Sequence, residues 1–149
     1  MAVMAWGRYA LGGLLLGAAC TDLAWRKIPN WLIAIGLGAF LAVAGGLLYL
    51  RDAALLAGCL RAGALAFALH LVPYACKSMG AGDVKLALVV GLLMGWEAWL
   101  GYLETFCTLA VLLSCMFLAL GKRKPKTIPL APVMAGAYFL YQIAEAVKL

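Results

Sequence analysis

Long apolar runs separated by short polar breaks set the pattern of this chain. The runs cover about Trp6–Leu23, Trp31–Leu50, Ala53–Val72, Asp83–Gly95, Leu100–Leu120 and Ile128–Val147. Most approach or exceed the ~18–20 residues an α-helix needs to cross a bilayer. The expected fold is therefore all-α: a polytopic membrane protein of about six transmembrane helices, in a single domain over residues 1–149. The fourth run is short, so one of its ends is expected inside the protein rather than in lipid. The breaks carry their own signals. At Ile28-Pro29-Asn30, proline disfavours helix in the residue before it, and Asn30 suits the cap of the next helix. Arg51-Asp52 reads as a tight turn, and Cys76 to Gly82 as a polar loop carrying Lys77 and Ser78. Trp96, Trp99 and Tyr102 read as an aromatic belt at the membrane interface. Pro129 and Pro132 lead into the last span.

Composition agrees with this pattern. Of 149 residues, 67% are hydrophobic and 12% charged, with mean hydropathy +1.03. A soluble domain is roughly half apolar and a quarter charged. The net charge of +6 does not mark a nucleic-acid groove, because the basic residues sit in short loops between apolar runs. Alternate loops hold Arg26 and Lys27; Lys77, with Lys85 just beyond; and Lys122, Arg123, Lys124 and Lys126. Arg8, Arg51 and Lys148 fall on the other side. The positive-inside rule places the first set in the cytoplasm and both termini outside. Arg61 lies within the third span, where it either snorkels outward or pairs with Glu104.

Five cysteines and one histidine, His70, leave no CxxC pair and no zinc-ligand spacing, so no metal or other cofactor is expected. Most of the cysteines read as small packing residues. Arg8, the apolar stretch after it and Ala18-Ala19-Cys20 are similar to a secretory or lipoprotein signal. Gly17 is wrong for a lipoprotein signal, and Asp22, Arg26 and Lys27 are followed by more membrane, so this segment reads as the first span.

The candidate chemistry lies in two places. Met79-Gly80-Ala81-Gly82-Asp83-Val84-Lys85-Leu86 sets a carboxylate where a polar turn meets an apolar run. An acid beside hydrocarbon marks a functional site by default. Gly80 and Gly82 let another backbone come close. Asp83 also suits a plain helix N-cap. Asp22 ends the first span, and an ion pair with Arg26, four residues on, is the ordinary reading for it. Two crossings separate Asp22 from Asp83, so both return to the same membrane face. Two carboxyls in hydrogen-bond reach share one proton. The ionised one can then take a proton from water while the other polarises a peptide carbonyl.

Thr21-Asp22 followed by Arg26-Lys27-Ile28-Pro29-Asn30 resembles the first motif of the type IV prepilin peptidases. The segment Met79 to Leu86 resembles their second, the GxGD signature, and Pro129-Leu130-Ala131-Pro132 resembles their C-terminal segment. The resemblance covers nearly the whole chain. It implies a membrane aspartic endopeptidase that removes the short basic leader of prepilins or pilin-like proteins at the cytoplasmic face of a bacterial or archaeal inner membrane. By position, Asp22 and Asp83 are the implied catalytic acids, and Gly80 and Gly82 shape the loop presenting Asp83. Lys77, Lys85, Pro29 and Asn30 are candidates for substrate binding or support. The lysines also have a simpler reading, as topology determinants. Longer family members carry a cytoplasmic domain with two CxxC pairs and methylate the new N-terminus; methylation is not expected here. The short form resembles peptidases of tight-adherence (Flp) pili. The implied partners are a prepilin or pseudopilin and membrane lipid, with no nucleic acid. Two other readings stand beside this one. A small transporter or assembly subunit would use the acids for ions or a partner helix. Another GxGD intramembrane protease would cut single-span substrates. The GxxxG spacings Gly13 to Gly17 and Gly91 to Gly95 read as close packing within the monomer.

Overall fold

The computed structural model describes residues 2–119 and 130–147, with side chains for 3–116 and 130–147. The described residues form six α-helices: α1 Ala2–Trp25, α2 Asn30–Tyr49, α3 Ala53–Ala75, α4 Ala81–Met94, α5 Trp96–Ala119 and α6 Leu130–Val147. Five of them are long and apolar enough to cross a membrane. The protein is an all-α, multi-pass membrane protein. The exception is α4. Its 14 residues span about 21 Å at 1.5 Å per residue, short of the ~30 Å hydrocarbon core. This short helix is the centre of the bundle, packed by α1, α2, α3 and α5. Every residue from Val89 through Met94 is buried. A helix buried on all sides needs no polar face, which explains its unbroken apolar sequence.

Glycine makes the central packing possible at one contact in particular. A Cβ on Gly91 would lie 2.5 Å from the carbonyl oxygen of Ala62 and 2.8 Å from Cα of Gly63. Here α3 and α4 touch backbone to backbone. Gly13, which has the same GxxxG spacing to Gly17, meets nothing within 4 Å. Gly17 meets only the Leu32 side chain, at 3.4 Å, so of these two spacings the Gly91 one alone brings backbone against backbone. Gly95 alone joins α4 to α5, in a left-handed conformation with φ +75° that suits glycine.

Several sequence expectations change. Trp99 and Tyr102 are 1% and 3% exposed, so they are core residues rather than an interfacial belt; α5 starts at Trp96 and turns both inward. An amphipathic ring suits either place, and the tight Gly95 turn decides for the core. Only Cys59 is a buried packing cysteine; Cys20, Cys76, Cys107 and Cys115 are exposed. Arg61 and Glu104 are both exposed and form no ion pair among the described residues. Asn30 does not cap α2. The N-cap is Pro29, and Asn30 is the first helical residue. The basic loop Lys122 to Lys126, Pro129 and Lys148 lie outside the described residues.

Candidate active site

Three chain segments meet at one end of the bundle, joined there by the first turn of α6. The first is the end of α1. Its final turn closes with Arg26 in the left-handed region, φ +51°, while the Arg26 N–H donates to the carbonyl of Asp22 at 2.9 Å. Asp22 points inward from this last full turn and is only 8% exposed. A buried carboxylate needs hydrogen-bond donors. One comes from α6: the N–H of Ala131 donates to Asp22 Oδ2 at 3.3 Å, in a buried contact.

The second segment is the loop between α3 and α4. Pro73, near the end of α3, leaves its carbonyl to Ser78, whose N–H and hydroxyl both donate to it, at 3.0 Å and 2.8 Å. Lys77 takes a left-handed conformation, φ +56°, to make this turn. Gly80 is the N-cap of α4, so Asp83 is not the cap but the third residue of the first turn. Its Oδ2 accepts the N–H of Gly80 at 3.2 Å, the return bond of a capping box. The other oxygen has no such bond among the described residues.

The third element is the α1–α2 connection, which lies across the start of α4. Ile28 packs on Gly82, where a Cβ would come within 3.1 Å of the isoleucine Cβ. Lys85 Nζ donates to Asn30 Oδ1 at 3.1 Å. These two contacts fasten the Asp22 segment to the Asp83 segment. Disrupting the second is expected to cost about 1 kcal/mol or less, since the pair is exposed. Asn30→Ala and Lys85→Ala should weaken unfolding stability to similar degrees, and the double variant should be no worse than either. A fully additive double-mutant cycle would rule out the clamp.

Electrostatics bears on Asp83. α4 is not one of the five helices long enough to cross, and Asp83 sits in its first turn at the bundle's end. Burial raises the Asp83 carboxyl above its ordinary 3.8; the Gly80 N–H opposes this, and the nearby charge of Asp22 adds to it. The two acids are thus close enough for the charge of Asp22 to reach Asp83. The folded state binds the Asp83 proton more tightly than the unfolded chain does. Stability from this group is complete below pH 3.8 and declines as pH rises through the raised folded value. The thermal midpoint in detergent should fall across that window, and Asp83→Asn should flatten the fall. An unchanged slope in the variant would contradict the environment described for Asp83.

The structure thus brings together Asp22, Asp83, Gly80, Gly82, Asn30 and Lys85. Lys77 is exposed in the loop ahead of α4, and Pro29 is half-buried as the cap of α2. Ala131, Ser78 and Ile28 were not among the candidates from sequence. The proline at position 132 was the available signal: a proline in the first turn of a helix places free backbone N–H groups beside it. Among the described residues no three His, Cys, Asp or Glu side chains gather as a metal site would require. Two clefts lie elsewhere. One of about 1360 Å³ runs between α1, α3 and the α4–α5 turn. Another of about 600 Å³ lies between α5 and α6 and is lined by Arg8, Glu97, Glu104 and Glu145. Neither is lined by Asp22 or Asp83, which sit at the end of the bundle.

The bundle carries two carboxyls at one end, one on the last turn of α1 and one in the first turn of α4. The chain belongs to the type IV leader peptidase family, whose model matches residues 9–143. No curated protein and no solved structure matches it.

Proposed function

We propose that this protein is an aspartic endopeptidase that removes the leader of a type IV prepilin or pilin-like protein at the cytoplasmic face of the inner membrane. The observation that carries this reading is that the end of α1 and the first turn of α4 bring Asp22 and Asp83 to one end of the bundle, where burial first and the charge of Asp22 second raise the Asp83 carboxyl. The family match supports the peptidase class. The orientation rests on the charge rule, which puts this end of the bundle and its lysines in the cytoplasm and both termini outside.

The reaction needs one ionised and one protonated carboxyl. The oxygen of water bonds to the scissile carbonyl carbon while its proton passes to the ionised acid. The protonated acid gives its proton to the carbonyl oxygen. The resulting gem-diol collapses as the C–N bond breaks. The leaving nitrogen takes a proton from the first acid, and a diol hydroxyl returns one to the second. Both acids end as they began. Because they face the bundle's end, the scissile segment comes to them as an extended stretch beside the membrane, with the apolar helix that follows it in lipid. Lys77 and Lys85 flank this approach, and Gly80 leaves room for a backbone.

The alternative of an ion-relay transporter asks for acids near the midplane. Both of these sit at helix ends, which favours hydrolysis at the rim. Co-expression with a prepilin tests the reading: leader removal is expected with the wild-type chain and lost with Asp83→Ala. An intact leader in both would overturn it.

A further inference from the structure

We propose that the groove between α1, α3, α6 and the α4–α5 turn holds one aminophospholipid, drawn from the leaflet away from the acids. Its phosphate sits against Arg8 and Arg61, and its ammonium against Glu97. The proposal stands apart from the peptidase reading.

The groove, of about 1360 Å³, exceeds the ~300–1,000 Å³ typical of small-molecule pockets. Along α1 its lining runs from Met4 to Leu16, about 18 Å at 1.5 Å per residue. That is close to the depth of one leaflet, half of the ~30 Å hydrocarbon core that a crossing helix must span. A lipid fits this length and a transmembrane segment does not. The lining also changes character with depth. Arg8 and Glu97 lie toward the end away from Asp22, whereas Gly12, Gly13 and Leu16 lie toward the middle of α1. At Gly13 a Cβ would meet nothing within 4 Å, so the deeper part is open. An amphiphile with its head outward and a tail inward matches both ends.

The charges select the head. Arg61 follows Gly58 by about one turn, and Gly58 packs against Trp96, the residue before Glu97. Met4, about one turn before Arg8, meets Gly95. Arg8, Arg61 and Glu97 therefore lie near the level of the α4–α5 link. For Arg61 that is about 12 Å along α3 from its start. Charge at such depth in a membrane is costly unless paired. The Nε of Arg8 is buried with no acceptor among the described residues. Arg8 also borders the cleft of Glu104 and Glu145, yet neither carboxylate serves that nitrogen. Arg61 is exposed on a spanning helix. Asp52, also on the lining, already accepts the Leu55 N–H. An anion beside the guanidiniums and a cation beside Glu97 balance this level, and one ethanolamine headgroup brings both. An anionic headgroup would set like charge against Glu97, and a choline headgroup has no N–H to give it.

The test is native mass spectrometry of the full chain released from detergent. Phosphatidylethanolamine, phosphatidylglycerol and phosphatidylcholine with identical acyl chains are each added in equal amount. We expect one phosphatidylethanolamine to bind about tenfold or more tightly than the other two, the scale of one charge-assisted hydrogen bond. Combining Arg8→Gln with Arg61→Gln should lower that affinity by about tenfold or more. Glu97→Gln should erase the preference over phosphatidylcholine. Gly13→Leu fills the open apolar part and should weaken all three lipids alike. Arg51→Gln removes an exposed cation outside the groove and should change nothing. Thermal midpoints show which variants are folded; if the arginine pair is not, Glu97→Gln and Gly13→Leu still decide. Equal binding of the three lipids, tighter binding of phosphatidylglycerol, or full phosphatidylethanolamine binding by the folded variants overturns the proposal. Release of the lipid by one equivalent of an apolar helical peptide also overturns it, and would assign the groove to a protein partner.

Discussion

Asp22→Asn and Asp83→Asn should each give a folded protein that no longer removes the leader, with rates down by about 10²-fold or more. The amide matches the carboxylate in shape. Its oxygen can still accept from Ala131 at position 22 or from Gly80 at position 83, the two bonds seen in the structure. What it loses is the ability to exchange a proton, which both halves of the reaction require. The two variants should therefore fold almost as the wild type does while failing in catalysis. The double variant should be hardly slower than either single one, because groups acting as a unit are not additive. Cleavage assays on membranes, paired with thermal midpoints in detergent, separate the two effects. Wild-type turnover in either variant would remove that acid from the mechanism.

Gly91→Ala should be the most damaging of the small substitutions. The added methyl would meet the Ala62 carbonyl at 2.5 Å. The obstacle is backbone, so α3 and α4 must separate. Overpacking of this kind costs about 1–3 kcal/mol, at times more, and it also carries Asp83 away with α4. Both the unfolding midpoint and the cleavage rate should fall. Gly13→Ala provides the contrast: its methyl meets nothing within 4 Å, and its effect should stay within about 0.5 kcal/mol. Equal losses at the two positions would mean that the α3–α4 contact is not the tight one.

The two GxxxG spacings are identical as text, and only the neighbours tell them apart. The spans and the parity that returns Asp22 and Asp83 to one end were legible because charge is rare in apolar sequence and stands out. The shortness of α4 was legible too, as a run with too few residues to cross. The contacts that complete the site were not. Ala131 contributes a backbone N–H, which no side-chain letter reports. Ser78 acts on a carbonyl left by Pro73, and Ile28 matters only because Gly82 leaves it room. Asn30 reads as a cap, yet it turns to Lys85, 55 positions on. Trp99 and Tyr102 fit lipid headgroups and protein interior equally well by composition. Their place follows from how Gly95 turns the chain.

Topology mapping should miss that turn. Gly95 is buried, and Trp96 packs beside Gly58, five residues into α3, or about 7–8 Å along its axis. The link between α4 and α5 thus stays sunk below the level of the α2–α3 turn, against Met4 and Cys59. An added protease should cut at the α2–α3 turn at Arg51 and fail at the α4–α5 link. A count of surface loops from outside would then come up one short, although the polypeptide has turned back there.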